Sequence, residues 1–266
     1  MLKPLQAIWN ARTLVLELAR RDIQQRHRGA LLGPFWRLIH PMFQLTIYTF
    51  LFSVVFRVPW PNSPASGFLG KALLFYCGFA PVVFFTECLG RAPSLIISSP
   101  NYVKKVVFPL EVLPVSAALG ALFQLAINIA VILVAHVISG GRIAWTLLLL
   151  PVVILPLVLL VLGSGWLLSS LGVLVRDVSH GLGLMLQLVP WVTPIFYPVE
   201  ALPPPMATLV RLNPLTSIVE GLRSIVLWGR SPNWGELGIW ILMASLVFVA
   251  GFRWFTYTRA DFADVI

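Results

Sequence analysis

The sequence predicts an all-α integral membrane protein, on two observations. Hydrophobic residues make up 58% of the chain and charged residues only 11%, whereas an ordinary soluble domain is about 25% charged. Several runs also approach the roughly 20 nearly uncharged residues that a helix needs to cross the hydrocarbon core of a bilayer. Because these runs occupy most of the chain, we expect a single transmembrane domain over residues 1–266.

The N-terminal region, residues 1–33, is expected to contain an amphipathic helix rather than a span. Along 8–25, apolar residues recur at helical spacing on one face and polar residues line another. The apolar face contains Ile8, Ala11, Val15, Leu18 and Ala19, and the polar face contains Thr13, Glu17, Arg20 and Gln24. A helix of this kind lies along the membrane surface, either as a plain anchor or as a functional element beside the first span.

Six further segments are predicted to span the membrane. They are residues 38–56, 72–97, 112–138, 143–175, 182–197 and 237–252. The fourth contains Pro151 and Pro156, which predict a kink or a short lead-in lying on the membrane surface. With six spans, both termini lie on the same side.

The distribution of basic residues predicts which side that is. The side with the termini carries thirteen of the 19 lysines and arginines: Lys3, Arg12, Arg20, Arg21, Arg26, Arg28, Arg37, Arg91, Lys104, Lys105, Arg176, Arg253 and Arg259. The opposite side carries Arg57, Lys71, Arg142, Arg211, Arg223 and Arg230. Because cytoplasmic loops carry the excess of lysine and arginine, we expect both termini in the cytoplasm.

The cytoplasmic loop at 99–111 contains a short stretch that can form a helix. Asn101 is available as its N-cap, and Pro109 and Pro114 as its terminators. Its other side chains are Lys104 and Lys105, which are expected to face water, and an apolar knob of Val103, Val106, Val107 and Phe108. Such a knob either docks on a protein partner or lies on the lipid surface.

The external segment 198–230 is too apolar for a solvated loop and is interrupted by prolines. Asn213 and Pro214 have the residue types of an N-cap and a first helical position. Short broken helices at membrane depth are tolerated only where protein covers them or where they line a cavity. We therefore expect a re-entrant element near the outer face, with an interfacial hairpin as the alternative.

The sequence offers little for catalysis. It contains no G-x-x-x-x-G-K-[ST], H-E-x-x-H or G-x-S-x-G motif. Cys77 and Cys88 lie in one apolar run, where they are expected to be small buried hydrophobic residues rather than metal ligands. We expect no catalytic residue, cofactor or metal in this chain.

Acidic residues are few, and most have a basic neighbour: Asp22 has Arg21, Asp177 has Arg176, and Glu220 has Arg223. Glu87 is different because it lies within the second predicted span, where an ionisable residue is a candidate for function. Arg91, four residues later, lies on the same helical face. The two residues predict a buried ion pair near the inner end of this span.

Aromatic residues are concentrated in three of the predicted spans. They are Tyr48, Phe50, Phe52 and Phe56 in the first, Phe75, Tyr76, Phe79, Phe84 and Phe85 in the second, and Trp191, Phe196 and Tyr197 in the fifth. Belts at the two membrane interfaces explain many of them. Rings at several depths also suit a passage for sugars, whose apolar faces stack on aromatic rings.

Five stretches of the chain resemble, in order, the membrane subunits of type-2 polysaccharide ABC exporters, the permeases that export O-antigen, capsule polysaccharide and teichoic acid. They are RRDIQQRHRGALLGPFWRLIHPMFQLTIYTFLFSVVF, YVKKVVFPLEVLPVS, VRDVSHG followed by VTPIFYPVEALP, NPLTSIVEGLRSIVLWG, and DFADVI. The resemblance covers nearly the whole chain. It implies a homodimer of six-span subunits in the bacterial inner membrane, paired with two copies of a separate ABC ATPase that binds ATP and Mg²⁺.

The resemblance also implies roles for the regions between the spans. Residues 99–111 match the family's coupling helix, which docks on the ATPase, and 198–230 match its external re-entrant helices. The N-terminal helix matches the family's gate helix, beside which a lipid-linked substrate enters. The coupling residues would be Asn101, Tyr102, Lys104, Lys105, Phe108 and Pro109. Leu110 stands where many relatives have a basic residue.

The same resemblance implies a path for a polyprenyl-diphosphate-linked polysaccharide. Arginines hold diphosphates through charge-assisted hydrogen bonds, and those expected to meet the lipid diphosphate are Arg20, Arg21, Arg26 and Arg28. In the family, the channel runs between the two subunits and is bordered mainly by the first and fifth spans. The rings expected to face the glycan are therefore Tyr48, Phe52, Phe56, Trp191 and Tyr197.

Two other functions are compatible with the sequence. A type-2 exporter of a smaller lipid or a drug would have a narrower, closed channel. An integral-membrane glycosyltransferase or acyltransferase would need a carboxylate pair or a histidine at the membrane surface. The 4 histidines are scattered along the chain, and His180 alone has a nearby acidic residue, Asp177.

Overall fold

The computed structural model of the protein describes residues 2–25, 35–55, 60, 68–103, 108–175 and 177–262, and every regular element in these ranges is helical. The α-helices are α1 (Leu2–Asn10), α2 (Arg12–Gln25), α3 (Trp36–Thr49), α4 (Phe68–Leu95), α5 (Pro100–Val103), α6 (Val112–Ile138), α7 (Leu150–Leu174), α8 (Val178–Val192), α9 (Pro204–Arg211), α10 (Pro214–Val226) and α11 (Trp234–Thr258). A π-helical segment, Phe50–Val55, continues α3. Short 3₁₀ segments cover Trp145–Leu149, Val199–Ala201 and Arg259–Asp261.

Four of the helical stretches are long and apolar enough to cross a membrane. They are Leu69–Leu95, Val112–Ile138, Trp145–Leu174 and Trp234–Asp261. The segments predicted at 38–56 and 182–197 correspond to shorter helices, α3 with its π-helical extension and α8. The chain is therefore an all-α, multi-pass integral membrane protein.

The fifth predicted span differs from the structure at both ends. Helix α8 begins at Val178 and ends at Val192, so Tyr197 lies beyond the helix and not inside it. The reason is local, because Thr193 precedes Pro194 and has extended backbone angles, φ −93° and ψ 140°. A residue before proline is disfavoured in the helical region, and hydropathy does not detect this.

The N-terminal amphipathic helix is interrupted once. The chain turns at Ala11, between α1 and α2, so 8–25 is not one continuous helix. The predicted faces of α2 are present, with Val15 and Ala19 buried and Glu17 and Arg20 exposed. The buried face packs against α6, because the start of α6 offers it an apolar surface.

Helix α4 forms the centre of the described bundle. In its most apolar window 78% of the residues are buried, against 33% for each of the other three long helices. It contacts α3, α6, α7, α8 and α10. Cys77 and Cys88 on this helix are buried free thiols, as expected.

Helices α7 and α11 pack backbone to backbone through two glycines. A Cβ atom built on Gly251 would lie 2.0 Å from the carbonyl oxygen of Gly163, which is impossible without separating the helices. Small residues permit this close approach of membrane helices, for which lipid provides no hydrophobic driving force. Within the fourth predicted span, the 3₁₀ segment Trp145–Leu149 precedes α7, and Pro151 lies in the first turn of α7.

One end of the bundle gathers α2, the α5 region and the C-terminal end of α11. A compact apolar cluster joins them: Val15, Ile96, Leu110, Val112, Leu113, Val115, Trp166, Val173, Phe248, Phe252, Phe255 and Phe262. The indole of Trp166 donates a hydrogen bond to the carbonyl oxygen of Glu111 at 2.9 Å, and the Glu111 carboxylate accepts one from Arg259 at 3.0 Å. The described parts near both termini therefore share this end.

The segment predicted to be external, residues 198–230, contains α9 and α10. Asn213 and Pro214 occupy the predicted N-cap and first helical positions, and the Asn213 side chain accepts a hydrogen bond from the amide of Leu215 at 3.0 Å. Helix α10 is largely buried against α4, α7 and α11. This burial means that protein covers the broken helix, as a membrane environment would require.

Candidate functional site

A polar cavity of about 560 Å³ opens where α2, α4, α5 and α6 meet. It is lined by Leu18, Arg21, Asp22, Gln25, Arg91, Leu95, Ser98, Ser99, Pro100, Asn101, Tyr102, Leu113, Ser116 and Ala117. Its volume lies within the roughly 300–1,000 Å³ typical of small-molecule sites. The cavity combines residues from the N-terminal helix and from the loop predicted to dock on a partner.

An ion pair between Arg91 and Asp22 crosses this cavity. The Arg91 guanidinium donates to both carboxylate oxygens, with Nη2–Oδ1 at 2.6 Å and Nη1–Oδ2 at 3.2 Å. The side chains are 38% and 21% exposed. Glu87 is also near, with its Oε1 4.0 Å from Arg91 Nη1. The fork-to-carboxylate geometry fixes α2 against the end of α4.

The predicted ion pair between Glu87 and Arg91 is present at 4.0 Å, but its side chains are 26% and 38% exposed rather than buried. Asp22, for which the sequence suggests its neighbour Arg21, is a closer partner of Arg91 than Glu87 is. Adjacent residues on a helix point in different directions, so Arg21 does not share Asp22's direction toward α4.

Arg21 instead connects α2 with the predicted coupling segment. Its guanidinium Nη1 lies 3.5 Å from the hydroxyl of Tyr102, to which it donates a long hydrogen bond. The Tyr102 ring stacks on Phe108, with ring centroids 4.4 Å apart and planes at 18°. Arg20 is exposed on the same helix. Arg26 and Arg28 lie outside the described residues.

The coupling segment is helical only over Pro100–Val103 in its described part. Asn101 therefore lies inside the helix and is not its N-cap, because Pro100 takes the first helical position, which proline favours. Pro114 does not terminate this segment either. It lies in the first turn of α6, where a missing amide proton costs no intrahelical bond. Pro109 follows Phe108 in the loop, and Lys104 and Lys105 lie outside the described residues.

Two of the five predicted channel rings are described with their side chains. Trp191 is 64% exposed on α8. The Tyr197 hydroxyl donates a hydrogen bond to the carbonyl oxygen of Trp191 at 3.0 Å. Buried Phe196 lies between Trp191 and Phe75, with centroid distances of 5.5 and 6.3 Å. Tyr48 and Phe52 belong to the helical stretch at 36–55, but their side chains, and all of Phe56, lie outside the described part.

Arg223 is a structural centre that the sequence reasoning missed. It was counted among the external cations, but its side chain is 0% exposed. The guanidinium donates to the carbonyl oxygens of Leu74, Pro194 and Ile195 at 3.0, 2.7 and 2.9 Å, and to Glu220 at 2.8 Å. It also lies over the ring of Trp60, 4.7 Å from the centroid. The available signal was its place beside apolar residues at helical spacing in α10.

Helices α3 and α8 both pack on α4 and present apolar surfaces outward. None of the residues of α8 is buried. Its most exposed apolar side chains are Leu184, Met185, Leu188, Trp191 and Val192, and those of α3 are Met42 and Phe43. Such surfaces need lipid or protein against them.

The described residues contain no group of three or more His, Cys, Asp and Glu side chains that could hold a metal ion. His180 meets Asp177 through its backbone amide, which donates to the Asp177 carbonyl oxygen at 3.1 Å. That contact is an ordinary helical turn and not an acid–base pair.

Long apolar helices and an interhelical cavity define the class, a multi-pass membrane protein with a polar site at one end of its bundle. Comparison with known protein families then identifies the group. The profile of the ABC-2 type transporter family matches residues 13–227. Since this is most of the chain, the protein belongs to the ABC-2 type transporter family, as a transport subunit rather than a catalyst.

Relatives extend the similarity over the full length. The chain is 27% identical over 268 residues to the O-antigen export system permease protein RfbA of Myxococcus xanthus, and the alignment covers 100% of both chains. Two proteins of the same name from Klebsiella pneumoniae are each 24% identical over 255 residues, covering 95% of both chains. The similarity therefore includes the N-terminal helices and the external helices as well as the spans.

Proposed function

We propose that this chain is the permease subunit of an ATP-driven exporter that moves a polyprenyl-diphosphate-linked polysaccharide, of the O-antigen or capsule kind, outward across the bacterial inner membrane. The observation that carries the proposal is the full-length similarity to relatives named O-antigen export permeases in two organisms. The chain would supply the path, and a separate ABC ATPase chain would bind ATP and Mg²⁺ and supply the energy.

The proposed topology has six crossings with both termini in the cytoplasm. Beyond the four long apolar helices, α3 with its π-helical extension and α8 would supply the other two crossings. The common end formed by α2 and the end of α11 supports an even number of crossings. The positive-inside rule assigns that end to the cytoplasm.

ATP-driven movement would reach the membrane through the coupling segment. The stacked pair Tyr102 and Phe108, together with Asn101, Pro109, Lys104 and Lys105, would dock on the ATPase. Tyr102 also contacts Arg21 on α2. A displacement of the coupling segment would therefore change the position of the N-terminal helix. Arg20 and Arg21, with Arg26 and Arg28, would meet the lipid diphosphate there.

A homodimer would form the channel from the outward apolar surfaces of α3 and α8. Two such subunits and two ATPase copies make a symmetric assembly. Trp191, with Tyr48, Phe52, Phe56 and Tyr197, would provide rings on which successive sugars stack. Stacking suits a moving polymer because it does not require fixed hydrogen-bond partners.

The test is a chromosomal deletion of this chain, followed by analysis of lipid-linked glycans and of the cell surface. We expect polyprenyl-diphosphate-linked polymer to accumulate on the cytoplasmic side and the surface polymer to disappear. Complementation by the intact chain, but not by the chain without its ATPase partner, should restore export.

Two outcomes would contradict the proposal. Normal surface polysaccharide together with retention of a small lipid or drug would assign the exporter to a small substrate. Loss of a sugar or acyl modification, restored by the purified chain without ATP, would indicate a transferase.

A further inference from the structure

The Arg91–Asp22 pair stands in a cavity with room for a ligand. Among the described residues that line the cavity, Arg21 and Arg91 are positively charged and Asp22 is negatively charged, and Glu87 lies 4.0 Å from Arg91. Ser98, Ser99 and Asn101 add polar side chains to the same wall. The guanidinium fork that holds the Asp22 carboxylate has the geometry that also fits a phosphate group.

We propose that this cavity binds a phosphate-bearing lipid headgroup, and that the phosphate replaces the Asp22 carboxylate on Arg91. In the structure, the Asp22 carboxylate takes the position on Arg91 that the phosphate would occupy, and it fastens α2 to α4. The ligand that we expect is the diphosphate of the lipid carrier, so its identity rests on the proposed function, whereas the exchange itself does not.

The exchange is favourable for two physical reasons. Both partners of the ion pair are partly exposed, at 38% and 21%, and water screens pairs of this kind. A diphosphate carries more charge than one carboxylate, and it would meet Arg21 as well as Arg91. The cavity of about 560 Å³ is large enough for such a group without displacing the helices.

The exchange would also change the contacts of the coupling segment when a headgroup is bound. Release of Asp22 frees α2 from the end of α4, and a phosphate on Arg21 competes with its long 3.5 Å contact to the Tyr102 hydroxyl. Tyr102 belongs to α5 and stacks on Phe108. A bound headgroup would therefore change the contacts of both the N-terminal helix and the segment proposed to dock on the ATPase.

The experiment measures binding of a polyprenyl diphosphate to the full chain in phosphatidylcholine nanodiscs, with the unphosphorylated polyprenol as blank. The variants are Asp22→Asn, Arg91→Gln, the double variant, and Asp22→Glu. Glu17→Gln is the matched control, because it removes one negative charge from the exposed face of the same helix.

We expect Asp22→Asn to bind polyprenyl diphosphate about tenfold more tightly than the wild type does, and Arg91→Gln to bind it about tenfold more weakly. A factor of ten is the scale of one hydrogen bond to a charged group. The double variant should resemble Arg91→Gln, because Arg91 is the cation for which the Asp22 carboxylate and the phosphate compete. Glu17→Gln should bind like the wild type. Asp22→Glu keeps the competing negative charge, so its affinity should also stay near that of the wild type. This variant distinguishes competition for Arg91 from a general loosening of α2.

Phosphatidylglycerol and inorganic pyrophosphate, used as probes in the same nanodiscs, distinguish the possible sources of the phosphate. Tightening in Asp22→Asn for the polyprenyl diphosphate alone supports the exchange and assigns the site to the lipid carrier. Tightening for phosphatidylglycerol as well supports the exchange but assigns the site to the surrounding membrane. Unchanged or weaker binding of every probe in Asp22→Asn would overturn the proposal. Loss of surface polymer in the deletion strain tests the export function separately, so the two failures can be told apart.

Discussion

Arg223 is the residue on which three separate parts of the chain depend. Its guanidinium joins α10 to α4 and to the turn after α8, through the carbonyl oxygens of Leu74, Pro194 and Ile195. Gly78 makes room for it, since a Cβ atom there would lie 2.9 Å from Nη2 of Arg223. A buried cation is stable only when its donors are matched in this way.

Replacing Arg223 with Gln should cost about 2–4 kcal/mol of stability, since a buried acceptor left without its donor costs about 1–3 kcal/mol. The loss arises because the buried carbonyl oxygens of Pro194 and Ile195 lose their donor, whereas Glu220 is 40% exposed and can bond to water. Thermal unfolding of the detergent-solubilised protein measures it. The control is Arg211→Gln, in which a 55% exposed arginine loses a 3.7 Å pair with Glu236 and at most about 1 kcal/mol. Equal losses in the two variants would contradict the role of Arg223.

From the sequence, only contacts between residues close together in the chain could be predicted. Glu220 and Arg223 are three residues apart on one helix, and their pairing was predicted and is present. Asp22 and Arg91 are 69 residues apart, and no periodicity relates them. Their contact depends on how α2 lies across α4, which is set by tertiary packing and not by either helix alone.

At the scale of the elements, the contact between α7 and α11 leaves no room for a side chain at Gly251. Gly251→Ala would place a methyl group against the Gly163 carbonyl oxygen, and we expect a loss of about 1–3 kcal/mol from overpacking. Thermal unfolding in detergent again measures the change. Gly238→Ala on the same helix is the control, because nothing lies within 4 Å of its Cβ position. It should be neutral or stabilising, since alanine favours helix more than glycine does.

The coupling segment carries a second prediction at this scale. Tyr102→Ala removes both the stacking on Phe108 and the bond to Arg21. In the reconstituted exporter, we expect export and substrate-stimulated ATP hydrolysis to fall together, by about tenfold, while the chain accumulates normally. One aromatic pair and one charged hydrogen bond together account for a loss of this size.

Tyr257→Ala provides the comparison for that prediction. Tyr257 is 80% exposed on α11, so its removal changes an aromatic surface residue without breaking a described contact. It should leave export unchanged. A Tyr102→Ala exporter as active as the Tyr257→Ala exporter would contradict the coupling role.

Helices were predictable where composition alone determines them. The third predicted span coincides with α6, because an uninterrupted apolar run fills 112–138. The C-terminal end of α8 could not be predicted from hydropathy, because the Thr193–Pro194 step terminates the helix. The glycine contact of α7 and α11 was also missed, since Gly163 and Gly251 become meaningful only when the two helices face each other.

At the scale of the whole molecule, the order of helices around α4 could not be predicted. A span that is apolar on all sides has no amphipathic face to indicate its neighbours. The structure resolves this by burying α4 most and leaving α3 and α8 with outward apolar surfaces. In the proposed homodimer, one of these surfaces would meet the second subunit, and a twofold interface would bring the same residue of both subunits close together there.

Two single-cysteine variants at positions of equal exposure test which helix surface forms the subunit interface. Leu188 on α8 and Leu242 on α11 are each 62% exposed, while the native Cys77 and Cys88 are 0% and 8% exposed and so poorly reachable by a reagent. With a bismaleimide added to native membranes, Leu188→Cys should give a cross-linked dimer, because α8 borders the proposed channel near the twofold axis. Leu242→Cys should remain monomeric, because lipid covers that face of α11. Cross-linking of Leu242→Cys in place of Leu188→Cys would move the subunit interface to α11 and remove α8 from the channel.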